Sequence, residues 1–168
     1  MSLPSRAFAY DAGTLTASGV DLRTVAEAHG TPTWVYAAER VDAAYRLIEG
    51  AMARASRGGE TLIAYAIKAN GNLALLKRLA ALGCGADIVS GGELLRALKA
   101  GIPADRIVYS GVGKSRPELR AALEAEIRAV HVESESELRL LGEVARELGK
   151  KATIALRVNP HVDAETHP

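Results

Sequence analysis

Little in this chain is aromatic, and almost none of it is cysteine. Among 168 residues there are one cysteine, one tryptophan and one phenylalanine, and aromatics make up 4%. The lone Cys84 excludes an internal disulfide framework and fits a reducing compartment. So few rings argue against a base-stacking surface. An excess of one charge is also missing: 21 Lys and Arg stand against 20 Asp and Glu. The chain therefore carries no electrostatic footprint for nucleic acid or a membrane surface. No uncharged run approaches membrane-spanning length, and the opening residues, MSLPSRAFAYDAG, hold no extended apolar stretch of the secretory kind. The expectation is a cytoplasmic protein with neither nucleic-acid nor membrane partners. Its length suits one domain with a substantial core, or part of a larger one.

What the chain does have is rhythm. The first residues are irregular: AFAYDAGTLTAS reads as two short strands around the turn DAG, and Asp21 can cap a short helix, LRTVAEAH, closed by Gly30. TPTWVYA reads as another extended piece. AERVDAAYRLIEGAMARA has helical period, with Val41, Tyr45, Ile48 and Met52 on one face. From residue 61 apolar strands recur at TLIAYAI, ADIVS, RIVYS, IRAVHVE and ATIALRV, roughly 20–25 residues apart as βα units require. Between them NLALLKRLAAL, GELLRALKAG, PELRAALEA and ESELRLLGEVARELG are helical in period. Three of these helices open with Ser-x-x-Glu: Ser90 to Glu93, Ser115 to Glu118, and Ser134 to Glu137. In a capping box the Ser oxygen takes the N3 amide while the Glu reaches back to the N-cap amide. Three such signals, each just after an apolar strand, point to consecutive βα units and a parallel sheet.

Strand phasing favours a barrel over an open Rossmann sheet. Period 2 puts Leu62, Ala64, Ala66 and Lys68 on one side of LIAYAIK, opposite Ile63, Tyr65 and Ile67. In TIALRVN, Thr153, Ala155, Arg157 and Asn159 share a face opposite Ile154, Leu156 and Val158. Bulky residues would face helices. The other face stays small until a polar group appears at the carboxyl end, where a (β/α)8 barrel builds its active site. About five barrel strands are visible, whereas a full barrel takes roughly 250 residues. The expected fold is an α/β, TIM-like (β/α)8 barrel, incomplete in this chain. Residues 1–35 belong in this reading to an accessory β domain, and residues 36–168 to the N-terminal part of the barrel.

Several motifs are decoys. SGVGKS contains Gly113-Lys114-Ser115, but Val108 stands where a phosphate loop needs its first glycine. A βα turn ending at the Ser115 cap is the better reading. GCGAD precedes its strand, and Ile88 replaces the third glycine of a dinucleotide fingerprint. Cys84 reads as a small buried hydrophobe. His161 and His167, in the polar tail PHVDAETHP, read as solvated loop rather than metal ligands. His131 alternates inward with Ala129 and Glu133, and either a pocket role or a satisfied core histidine accounts for it.

Lys68, Asp87 and Arg157 differ in kind, since each terminates or interrupts an apolar strand. On a barrel the three converge on one mouth. A strand-end lysine usually just reaches solvent. Lys68 instead lies in line with Ala64 and Ala66, and a desolvated lysine beside other cations becomes a nucleophile suited to Schiff-base chemistry.

YAIKAN, GADIVSGGEL, SGVGKS, HVESESEL and LRVNP, in this order, closely resemble the diaminopimelate decarboxylases. These are pyridoxal 5'-phosphate enzymes with an alanine-racemase-like barrel. The resemblance runs from GTPTWVY to the last residue. It implies that Lys68 is the Schiff-base lysine, that Asp87 lies near it and the cofactor, and that Arg157 approaches the cofactor's phenolic oxygen. Ser90, Gly91 and Gly92 would form the turn behind Asp87, and His131 joins the cofactor-binding candidates. The implied reaction is decarboxylation of meso-2,6-diaminopimelate to L-lysine, the last step of lysine biosynthesis. The resemblance also implies a homodimer whose active sites are completed at the subunit interface, and no metal. In the family, the phosphate-binding glycines, the acidic partner of the pyridine nitrogen and the substrate-binding arginines lie beyond the stretch matched here. This chain corresponds to the N-terminal portion, and alone is expected to be inactive. The alternatives are a relative acting on another basic amino acid, of ornithine or arginine type, and a catalytically silent homologue that binds the cofactor.

Overall fold

A computed structural model describes residues 7–160, and the tail bearing His161 and His167 lies outside them. The chain divides into two compact units, one up to Thr61 and one from Leu62. The division falls after the helix that the sequence reading assigns to the barrel.

In the first unit, β1 (Phe8–Asp11), β2 (Thr14–Ala17) and β3 (Val20–Asp21) form an antiparallel sheet in that order. Ala12-Gly13 and Ser18-Gly19 make the two hairpin turns with positive φ at all four residues, the backbone that matches strand twist in two-residue hairpins. Helix α1 (Leu22–His29) starts at Asp21, whose side chain accepts from the Arg23 amide, and stops at Gly30 with φ 78°. TPTWVYA forms no strand, because no neighbouring strand pairs with it. Helix α2 (Ala38–Ala55) matches its expected span. Of its apolar face Tyr45 is buried, while Ile48 and Met52 remain exposed.

The second unit carries five parallel strands in strictly sequential order: β4 (Ala64–Ala66), β5 (Gly85–Ile88), β6 (Ile107–Tyr109), β7 (Ala129–Val132) and β8 (Ile154–Leu156). Helices α3 (Leu73–Ala81), α4 (Gly91–Lys99), α5 (Arg116–Glu124) and α6 (Glu135–Leu148) make the crossovers. Sequential order without a reversal is barrel topology, whereas a doubly wound sheet reverses at a switch point.

The register confirms the phasing. Ala66 pairs with Asp87, Asp87 with Val108, and Val108 with Ala129, so these share one face. Ile88, Tyr109, Val130 and Ile154 are likewise in line on the other. The second face is where the core lies. Ile88, Ile107 and Tyr109 pack with Leu76 and Leu94 in one cluster, and Val130 and Val132 pack with Leu119, Leu141 and Val144 in another. On β8 the corresponding Ile154 and Leu156 stay exposed, since no described helix follows that strand.

The three Ser-x-x-Glu signals all mark helix starts, but their carboxylates go to three different places. Only Glu118 closes a reciprocal box, accepting from the Ser115 amide at 2.9 Å and hydroxyl at 2.7 Å. Its other oxygen accepts from the Gly91 amide at 2.9 Å, joining the N-termini of α4 and α5. These amides hold the Glu118 carboxyl down at about 2, as charge-assisted bonds to an ionised acceptor do. Ser90 Oγ accepts from the Glu93 amide, while the Glu93 carboxylate takes the Val89 amide, one residue before the cap. Ser134 Oγ accepts from the Glu137 amide, and the Glu137 carboxylate turns inward to Lys114.

Candidate active site

The carboxyl ends of β4 to β8 enclose a cleft of about 450 Å³, and Lys68, Asp87, His131 and Arg157 all line it. Four residues that lie far apart in the chain thus share one cavity, at the end of the sheet where barrels place their chemistry.

Lys68 departs from its expected setting. Strand β4 stops at Ala66, and Lys68 sits in the middle of a 3₁₀ turn, Ile67–Ala69. An edge strand with a neighbour on one side only has no second ladder to keep it extended. Ile67, 1% exposed, anchors the turn in the core. Lys68 itself is exposed rather than desolvated. Asp87 leaves its carboxylate Oδ1 buried with no hydrogen-bond partner. A bare buried acceptor costs about 1–3 kcal/mol, and in a native structure such a group calls for a ligand or a functional reason.

The other two candidates come with partners that sequence reasoning gave no role. His131 Nδ1 lies 2.9 Å from Ser110 Oγ, and its partly exposed ring lines the cleft rather than the core. Arg157 is 65% exposed and directs Nη1 to both oxygens of Glu133 at 3.0 Å, while Glu133 is 12% exposed. The carboxylate is fixed and the arginine is held by it. Period 2 contained this signal: Glu133 follows His131 by two residues and Ser110 follows Val108 by two, so each shares the cleft face.

Ser90 caps α4 and Gly91 and Gly92 form its first turn, immediately after the strand that carries Asp87. Cys84 is buried, donates to the Ile63 carbonyl at 3.2 Å, and has its thiol pushed up by that burial. It behaves as a small hydrophobe. Ser115 begins α5, so SGVGKS is the βα turn expected of it.

Comparison with known proteins identifies the architecture. The profile of pyridoxal-dependent decarboxylases, for their pyridoxal binding domain, matches residues 38–168. The chain belongs to the pyridoxal-dependent decarboxylase family. Diaminopimelate decarboxylase of Pseudomonas fluorescens is 52% identical over 163 residues, which are 96% of this chain and 38% of that protein. The crystal structure of the Methanocaldococcus jannaschii enzyme in complex with L-lysine superposes with a TM-score of 0.89 at 43% identity, again covering 96% of this chain and 38% of that one. Lysine decarboxylase from Selenomonas ruminantium, at 23% identity and a TM-score of 0.73, shares the fold. The chain thus spans a little over a third of the length of these relatives. Its five-stranded sheet is the corresponding part of their barrel.

The residues of the cleft are of the kinds the family's cofactor needs: Lys68 carries an amine that an aldehyde could take up, Arg157 a cation that a phenolic oxygen could face, and Asp87 an acceptor with no donor.

Proposed function

We propose that the full-length protein catalyses the pyridoxal-phosphate-dependent decarboxylation of meso-2,6-diaminopimelate to L-lysine. The observation that carries this reading is the meeting of Lys68, Asp87, His131 and Arg157 in one cleft at the carboxyl ends of the strands. High identity to diaminopimelate decarboxylases over nearly the whole chain supports the choice of substrate.

In this reading Lys68 would hold the cofactor at its aldehyde through Nζ, the amine with which the substrate's own amine would compete. When bound, the cofactor's ring accepts the electron pair left behind as the substrate carboxylate departs as carbon dioxide. Arg157 would offer a positive charge to the phenolic oxygen, with its guanidinium oriented by the Glu133 carboxylate. Asp87 orients the group that satisfies its buried Oδ1. His131, tethered through Nδ1 to Ser110, would form part of the wall for the cofactor's ring. The reading extends to a cytoplasmic homodimer with active sites completed between subunits. It also places residues 1–35 in an accessory β domain and residues 36–168 in the barrel. Among the described residues no helix is long and apolar enough to cross a membrane.

The test is carbon dioxide release by the full-length protein from meso-diaminopimelate, with ornithine, arginine and lysine in parallel. Preferred turnover of meso-diaminopimelate is the expected result, and preference for ornithine or arginine would overturn the substrate assignment. Binding of pyridoxal phosphate without turnover of any of them would favour the silent homologue.

A further inference from the structure

Lys114 and Glu137 form an ion pair inside the barrel wall, with side chains 1% and 6% exposed and 2.8 Å between Nζ and Oε1. The ammonium has three hydrogens to donate, and all three are placed: to Glu137, to the Gly111 carbonyl at 2.7 Å and to the His131 carbonyl at 2.7 Å. It also lies 5.5 Å from the centre of the Tyr109 ring. Gly111 and His131 both line the cleft. One buried cation therefore joins the loop after β6, the end of β7 and the first turn of α6.

Net stability is a poor explanation for such a pair, because desolvating two charges offsets most of their attraction and apolar replacements are often neutral. What the pair does supply is position. The loop it grips is fixed at its ends, Ser110 by the Ile88 carbonyl and His131 and Ser115 by Glu118, while between them Val112 is 78% exposed. Gly111 takes φ 90°, and a Cβ there would meet the Val89 Cβ at 3.1 Å, so this loop is pressed against another cleft-lining residue. With the carbonyls of Gly111 and His131 both drawn to one ammonium, the walls bearing Ser110 and His131 keep a set distance.

We propose that Lys114 and Glu137 are positioning residues, an internal strut that fixes the Gly111 loop and His131 for binding of the cofactor's ring. Its bearing on the cofactor rests on the function proposed above. The test replaces the pair by apolar residues, Lys114→Met with Glu137→Leu, in the full-length protein. Three quantities are compared with the parent: thermal melting, hydrogen exchange of the peptides covering residues 110–115 and 129–134, and the dissociation constant for pyridoxal phosphate from its absorbance. The expected result is melting close to the parent, faster exchange confined to those two segments, and affinity lower by about tenfold, the scale on which outer-shell partners act elsewhere. A folded double variant with parental exchange and parental affinity would overturn the proposal. Should the double variant not fold, Glu137→Gln keeps the shape and an acceptor but removes the charge. It is expected to lose affinity by a smaller factor with the same two segments loosened, and parental values for both would equally overturn the strut. A parent protein that takes up no pyridoxal phosphate refutes the proposed function instead, and the exchange comparison still decides whether the strut exists.

Discussion

The two faces of the five-stranded sheet are made from alternate residues of the same short strands, yet they do opposite work. On one face Ile88, Ile107, Tyr109, Val130 and Val132 are buried against helices. On the other, Ala66 and Ala129 lead to Lys68, Asp87, Ser110, His131 and Arg157, which stand around a cleft. The apolar face is built almost wholly from hydrocarbon, because an unpaired polar group costs free energy where water cannot reach it. Its one departure among the described residues is the Tyr109 hydroxyl, buried without a partner. The cleft face holds an exposed lysine, a half-exposed ion pair and an unpartnered carboxylate oxygen, all of which a ligand can still use. Stability and chemistry are thus separated by one residue of register, and mutations on the two faces should have separable effects.

The largest effect should come from Lys68→Ala. We expect turnover and the cofactor's lysine-linked absorbance to disappear, while stability changes by no more than about 0.5 kcal/mol, as for an exposed residue. Borohydride reduction of the parent, followed by peptide mass analysis, should put the phosphopyridoxyl group on the peptide containing AIKAN. Label on another lysine would remove Lys68 from the mechanism. The opposite face gives the converse. Ile88→Ala should cost about 2–5 kcal/mol through the cavity it leaves, lowering the melting temperature while any folded fraction still takes up cofactor. If Ile88→Ala instead left stability intact and abolished cofactor binding, the division of labour between the faces would be wrong.

Arg157→Met should act more moderately, at about 1–2 kcal/mol of cofactor affinity, the order of a partly exposed charge-assisted contact. Retention of pyridoxal phosphate through dialysis checks this, and melting should hardly move because Arg157 is 65% exposed. The smallest effect is acid sensitivity away from the cleft. Glu118 has its carboxyl lowered from 4.5 to about 2 by the Ser115 and Gly91 amides. A depressed folded value means that the stabilisation is fully present above about pH 4.5 and is lost as pH falls towards 2. Glu118→Gln should therefore cost about 1 kcal/mol at neutral pH, as loss of a cap does, and less and less below pH 4.5. A penalty that stays constant down to pH 2 would show that the charge of Glu118 is not what joins α4 to α5.

Much of the second unit was legible because its signals are local. The starts of α4, α5 and α6 follow from Ser90, Ser115 and Ser134, and alternation within each strand separates the faces. The ends of the strands were less legible. TLIAYAI shrinks to Ala64–Ala66, RIVYS to Ile107–Tyr109 and ATIALRV to Ile154–Leu156, since a ladder extends only as far as its partner pairs with it. The candidate site was legible residue by residue but not as contacts: Glu133 and Ser110 sit on the right face, and nothing local says that they bind Arg157 and His131.

By itself the sequence determined the order of strands and helices, the face each strand residue takes and the points where the helices begin. Backbone alternation and capping act over two to four residues, so neighbours along the chain suffice to set them. Only the tertiary structure decided which of the three Glu side chains of the capping signals reach beyond their own turn. Glu118 keeps its box and reaches the Gly91 amide, Glu93 takes the Val89 amide, and Glu137 leaves for Lys114, 23 residues away in the chain. The three share one local pattern and differ in what the fold brings near them. A carboxylate goes to the donor that best replaces its lost water; Glu93 finds it four residues back, whereas Glu137 and the second oxygen of Glu118 find it in a distant part of the chain.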